Sequence, residues 1–159
     1  MLSARNGYKI KIGSNLNLNT MSSLLASQLV PLTQGIAIVR IIFGMLVIYH
    51  GIEVFDAELM KSYVDGGMVS GSNALFMVYA GKSSELVCGI LLLLGFMTRI
   101  GALMAIGTFS YITFIVGGGR FWYQDQHPFM FVLFGLLFLL TGPGDWSLDS
   151  KIFGPKRNG

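Results

Sequence analysis

Four stretches of this chain are almost continuously apolar, and short polar segments separate them. The first runs from about Leu32 to Phe55, the second from about Ala74 to Phe96, and the third from about Ile100 to Val116. The last runs from about His127 to Thr141. A helix needs roughly 20 apolar residues to cross a bilayer. The first two reach that length and the third approaches it. The fourth is short, so either Phe121 to Tyr123 extend its embedded part or the bilayer thins around it. The pattern predicts an all-α membrane protein, a bundle of four transmembrane helices over 32–142.

The breaks agree with the spans. Met97-Thr98-Arg99 leaves room only for a tight turn, so the second and third helices are expected to be antiparallel neighbours. Gly101, Ala102, Ala105 and Gly107 suit close helix contact. Gly117-Gly118-Gly119 ends the third helix, Pro128 suits the first turn of the fourth, and Gly142-Pro143-Gly144 stops it. Residues 56–73 form an acidic loop with room for a short helix at the membrane surface. Arg120 to His127 is aromatic and polar, as at a membrane–water interface. Residues 1–31 read as a polar tail, with a short interfacial helix expected from Met21 up to Pro31. No small-residue cleavage site follows the weak apolar run Leu24 to Val30, so a secretory signal is not expected. Met21, where the character changes, is an alternative start. Residues 143–159 read as a C-terminal tail.

Composition strengthens the membrane reading. The chain of 159 residues is 53% hydrophobic and 12% charged, with mean hydropathy +0.64. A soluble domain carries about 25% charged residues. The net charge of +3 is small, the basic residues do not cluster and no reading motif is present, so no nucleic-acid partner is expected. Charge also orients the spans. Arg5, Lys9, Lys11, Arg99, Lys151, Lys156 and Arg157 would lie on one side, with only Lys61 and Arg120 on the other. The positive-inside rule then places both termini in the cytoplasm. Starting at Met21 weakens this bias without reversing it. Cys88, the single cysteine, excludes an internal disulfide and a Cys-x-x-Cys pair. It reads as a small core residue.

The candidate chemistry lies in the few polar side chains within the spans. A charge at the bilayer centre costs roughly 2.5–3.5 kcal/mol on insertion scales. Lys82 and Glu85 nevertheless interrupt the second span, and Arg40, His50 and Glu53 the first. His50, Glu53, Tyr79, Lys82 and His127 fall in the outer half and Glu85 nearer the middle. They are expected to share an interior hollow open to the outer side. Lys82 and Glu85, three apart on one helix, either neutralise each other or handle a ligand or proton. Arg40 either snorkels to cytoplasmic headgroups or makes an internal salt bridge, for instance to Glu85. His50 reads as a buried hydrogen-bonding residue. With His127 it forms the pattern of a haem or metal ligand pair, but no cysteine or carboxylate spacing supports that, and no metal site is expected.

Several pieces together carry a resemblance. They are Val39-Arg40-Ile41-Ile42-Phe43-Gly44 with His50-Gly51, then Glu85-Leu86-Val87-Cys88-Gly89. Leu92-Leu93-Leu94-Gly95-Phe96-Met97-Thr98-Arg99 follows, and last Gly142-Pro143-Gly144 with Ser147-Leu148-Asp149. In this order they resemble the DoxX family of small four-helix membrane proteins. The resemblance implies a bundle in the bacterial inner membrane. It makes Arg40, His50, Glu85 and Arg99 the matched polar residues, and gives Gly142, Pro143, Gly144 and Asp149 a structural turn. Some relatives are linked to quinone-coupled sulfur oxidation, others to redox-stress complexes. The expected function is therefore redox-associated: a quinone or similar small molecule bound in an intramembrane polar pocket. Glu85 and His50 would relay protons, and Lys82 and Arg40 would set the electrostatics. The chain holds no obvious redox centre, so the electron donor would be a partner subunit. The alternatives are a non-enzymatic accessory subunit of a larger membrane complex, docking through its tails and the 120–127 loop, and a small-solute transporter.

Overall fold

The computed structural model describes residues 30–154. The N-terminal tail with its expected surface helix, and the basic residues Arg5, Lys9, Lys11, Lys156 and Arg157, lie outside the described residues. Helix α1 spans Leu32–Gly51 and continues as a 3-10 turn, Ile52–Phe55. Short helix α2, Ala57–Asp65, begins at Asp56, whose carboxylate accepts from the Glu58 and Leu59 amides. Helices α3, Ala74–Leu94, and α4, Thr98–Tyr111, follow, and α4 widens into a π-helical segment, Ile112–Val116. Helix α5 is Gln126–Thr141, and α6 is a single turn, Leu148–Ile152. No strand occurs among the described residues.

The fold is an all-α membrane bundle. Three helices, Leu32–Phe55, Ala74–Leu94 and Thr98–Val116, are long and apolar enough to cross a bilayer. The fourth, α5, is apolar and has 16 residues. At 1.5 Å per residue it reaches about 24 Å, short of the ~30 Å hydrocarbon core. Large apolar side chains such as Ile42, Leu46, Leu94, Leu103, Leu133 and Leu140 are exposed around the outside, as a lipid-facing surface requires.

Helix α1 packs on α3, α3 on α4, and α4 on α5. Lipid is as apolar as leucine, so close packing rather than water exclusion holds such helices together. Glycine supplies the closeness. A Cβ on Gly44 would stand 2.6 Å from the Leu93 nitrogen, and one on Gly89 2.8 Å from the Ile48 nitrogen. Backbone therefore meets backbone where α1 crosses α3. Helices α1 and α5 touch less, and aromatic rings fill the space between them. Phe43 lies edge-on to Phe131 at 5.2 Å and within 5.5 Å of Phe134 and Phe138. Phe109 of α4 closes the set at 4.7 Å from Phe131.

The end of the bundle where α3 meets α4 is fastened by hydrogen bonds. Gly95 takes φ +63°, so α3 stops at Leu94, two residues short of the expected Phe96. The Phe96 amide then reaches Leu91 O at 3.0 Å and the Gly95 amide reaches Leu92 O at 3.2 Å, the double bond that closes a left-handed helix end. Residues 142–152 fold back onto this corner. The Asp149 carboxylate accepts from the Met97 and Thr98 amides at 2.7 and 2.8 Å, so Asp149 caps the start of α4. It reaches this corner from the single turn α6, a few residues beyond the Gly142-Pro143-Gly144 turn. Thr33 donates to Asp145 at 2.8 Å.

Candidate functional site

Arg40 is wholly buried in this fastened end, and both expectations for it are corrected. It neither snorkels nor pairs with Glu85. Its guanidinium donates to the carbonyl oxygens of Pro143 at 2.7 Å, Leu93 at 3.1 Å, Trp146 at 2.5 Å, and Leu92. The last four carbonyls of a helix have no partner within it and carry the negative end of its dipole. Arg40 thus answers the end of α3 and the Gly142-Pro143-Gly144 turn together. Leu92 lies two helical turns beyond Glu85, which separates Arg40 from the second polar group.

That group surrounds Lys82. Its Nζ lies 2.8 Å from Glu53 Oε2 and 3.1 Å from Glu85 Oε2, and donates to His50 O at 3.3 Å. The Tyr63 hydroxyl donates to Glu53 Oε2 at 2.6 Å, and the Tyr63 ring lies 5.5 Å from the ammonium. Three segments converge here: the 3-10 end of α1 brings Glu53, α2 brings Tyr63, and one turn of α3 brings Lys82 and Glu85. The side chain of Glu85 is 4% exposed, against 25% for Glu53. One ammonium faces two carboxyl groups. With both ionised, the cluster carries one negative charge that no residue in it matches. Burial, and then the bond to Glu53, hold the Tyr63 phenol above its usual range.

Lys82, Glu85 and Tyr63 line a cavity of about 710 Å³ between α2, α3 and α4. That is within the ~300–1,000 Å³ range of small-molecule sites. Apart from them, Ser84 and Thr108, hydrogen-bonded to each other at 2.7 Å, and Tyr111, the wall is mainly apolar, including Met77, Val78, Met104 and Ile112. The π-helical segment of α4 forms part of this wall. There the Gly117 amide reaches back five residues to Ile112 O at 2.8 Å, and Thr113 donates to Phe109 O at 2.7 Å. Such widened turns often occur at functional sites.

The expected hollow is therefore divided. Glu85, Lys82 and Glu53 are together. His50 joins them only through its backbone oxygen, and its imidazole does not line the cavity. The ring packs 5.5 Å from His127 and 6.1 Å from Phe131, at the seam of α1 and α5. Tyr79 is half-buried and outside the cavity wall. Arg99 is exposed. Among the described residues, no three His, Cys, Asp or Glu side chains are placed to hold a metal ion. Sequence reasoning missed Tyr63, Ser84 and Thr108. The latter two had a signal, as hydroxyls within apolar helices. Tyr63 had none, because its role depends on where α2 folds.

The DoxX family model matches residues 35–118, more than half of the 159. The chain belongs to the DoxX family. The match contains every residue of the Lys82 cluster and Arg40. It ends before α5, so the Gly142-Pro143-Gly144 turn and Asp149 lie outside it. This DoxX chain is also similar to "Putative oxidoreductase CatD" of Bacillus subtilis (strain 168). The identity is 29% over 126 residues, covering 79% of this chain and 92% of that protein. No solved structure matches the chain.

Proposed function

We propose that this DoxX protein binds a quinone or similar lipophilic small molecule in the cavity between α2, α3 and α4, in the service of a membrane oxidoreductase. The oxidoreductase link extends to this chain what the CatD name says of that protein. Glu85 is the group that exchanges a proton with the ligand, and Lys82 and Glu53 set the field around it. His50 contributes its carbonyl to Lys82 rather than a relay step, and Arg40 serves the fold. The electron donor is a partner subunit. The protein sits in the bacterial inner membrane, crosses four times and keeps both termini in the cytoplasm.

One observation carries the reading: a mainly apolar cavity of ligand size has a buried carboxyl group and its ammonium partner in the wall. A buried ionisable side chain in a membrane is costly, and a proton-coupled ligand gives it a use. The test is gentle purification followed by mass spectrometry of lipid-soluble molecules. A quinone retained by the natural protein, and lost when Gly107→Phe fills the cavity, is the expected result. A cavity that retains none and binds neither an added decyl-tailed benzoquinone nor its hydroquinone refutes the reading. The second reading, an accessory subunit without a ligand, draws on Trp122 and Tyr123, 72% and 91% exposed on the loop before α5. A stoichiometric protein partner with no bound small molecule would favour it.

A further inference from the structure

We infer that the cavity takes a lipid-borne ligand whose head donates a hydrogen bond, a phenol or hydroquinone hydroxyl, in preference to a head that only accepts. This rests on the cavity being a ligand site, as proposed above, and adds which chemical form fits it.

The wall of the cavity holds more engaged protons than engaged lone pairs. An ammonium has three N–H donors, and Lys82 has three acceptors around it: Glu53 Oε2, Glu85 Oε2 and His50 O. The Tyr63 proton is spent on Glu53. Ser84 and Thr108 use one of their two hydroxyl protons on each other. The Tyr111 hydroxyl points to Met77 Sδ at 3.7 Å. The ammonium and the Tyr63 proton are thus engaged, and the Ser84–Thr108 pair keeps one hydroxyl proton. The acceptor beside the ammonium is not engaged. Glu85 takes Lys82 on Oε2, and among the described residues no donor reaches Oε1. Two carboxyl groups share one ammonium. A hydroxyl brought to Glu85 Oε1 would form a charge-assisted bond. A carbonyl or ether oxygen brought there would set lone pairs against lone pairs.

The route in is also visible. Phe76, Met77 and Tyr111 belong to the cavity wall and are exposed on the outside of α3 and α4. The opening therefore faces the lipid side of these helices. A ligand dissolved in the bilayer enters there, with its apolar body along Met77 and Met104 and its head at Glu85.

Two redox-inert probes isolate the donor: 4-decylphenol and its methyl ether, 4-decylanisole. They are offered together, at equal concentration, to the full chain in lipid nanodiscs, and the bound ratio is read by native mass spectrometry. A bond to a charged group predicts a phenol preference of about tenfold or more. In Glu85→Gln the amide oxygen keeps Lys82 and the amide N–H₂ faces the cavity. The preference should collapse or turn toward the ether. Gly107 lines the cavity, and a Cβ added there would meet nothing within 4 Å, so Gly107→Phe should fill the space and exclude both probes. Equal binding of the two probes by the natural protein, or a phenol preference that survives Glu85→Gln, overturns the inference while leaving the cavity a ligand site. Binding of neither probe, or of both in Gly107→Phe, overturns the ligand site itself. Should Glu85→Gln not fold, the ratio for the natural protein and the Gly107→Phe result still decide.

Discussion

Replacing Arg40 by methionine keeps an unbranched apolar stem and removes the guanidinium with its donors. The carbonyl oxygens of Leu93, Pro143 and Trp146 then lose their partner, while that of Leu92 keeps the Gly95 amide. A hydrogen bond from a charged group contributes about 1.5–3 kcal/mol, but these values do not sum, because burying the guanidinium costs several kcal/mol beforehand. Leaving a buried acceptor unsatisfied costs about 1–3 kcal/mol, so three of them, less the recovered cost of burying the guanidinium, come to ~3–5 kcal/mol net. For a chain of this length each kcal/mol moves the melting point by about 2–4 °C. Arg40→Met should therefore melt about 6–20 °C below the natural protein. Cys88, the single cysteine and fully buried, is a built-in reporter: a thiol-reactive fluorophore labels it only when the bundle opens. Arg40→Lys should recover less than half of the loss, because an ammonium lacks the planar fork that reaches several carbonyls at once. Combined with Glu85→Gln, the effects should add to within about 0.5 kcal/mol, as independent sites do. A melting point for Arg40→Met within about 2 °C of the natural protein would refute the carbonyl cage. Strong non-additivity with Glu85 would restore the salt bridge.

Four further outcomes are expected. Lys82→Met leaves Glu53 and Glu85 together without their cation and should destabilise by ~3–5 kcal/mol, whereas Lys82→Met with Glu85→Leu should recover part of that loss in the same labelling assay. Asp149→Ala removes the cap on Met97 and Thr98 and should cost about 1–2 kcal/mol, read as earlier Cys88 labelling. Gly44→Leu forces α1 off α3 and should cost ~3 kcal/mol or more, seen as loss of the monodisperse peak on gel filtration. The raised Tyr63 phenol means that the native state holds its proton longer than the unfolded chain. Its contribution is complete below the ordinary value of 10.0 and is lost as pH climbs beyond it. Alkaline melting curves of Tyr63→Phe should accordingly fall less steeply above that pH than those of the natural protein.

The bundle was legible because hydropathy reports helix length and apolarity directly, and little else in a chain this poor in charge competes with that signal. The Lys82–Glu85 contact was legible for a similar local reason, since residues three apart on a helix share a face. Glu53 could not be assigned to Lys82 in the same way. The contact depends on α1 tightening into a 3-10 turn at Ile52 and on the glycine crossing that sets α1 against α3. Arg40 misled for a different reason. A buried guanidinium invites a search for a carboxylate, whereas the partners here are backbone carbonyls, which every residue has and no sequence pattern marks. His50 misled through its direction. Its imidazole turns toward Phe131 and His127, and the side of α1 facing α3 receives only its carbonyl.

Arg40, buried, and Lys82, half-buried, are satisfied in different ways, and the difference bears on the proposed function. Arg40 is held by carbonyl oxygens, none of which can gain or lose a proton over any physiological range. Its cage joins α1, α3 and the turn after α5, and it is further braced by Asp149 and by the glycine contacts of Gly44 and Gly89. That end of the bundle is thus tied at several points. Lys82 is held by two carboxyl groups and one carbonyl, and one of those carboxyl groups also takes the Tyr63 hydroxyl. Each carboxyl group can exchange a proton, and each sits on a side chain that can turn. The cavity adjoins this second group, beside the π-helical segment of α4 and the short helix α2. A site that must accept a ligand and a proton together needs titratable partners and room to rearrange. Removing the charges of the cluster together would show which property matters. With Lys82→Met, Glu53→Gln and Glu85→Gln combined, no charge is left unmatched. The bundle should still fold, while any change of ligand affinity with pH that the natural protein shows should vanish. Persistence of that change in the triple variant would place the proton on some other group.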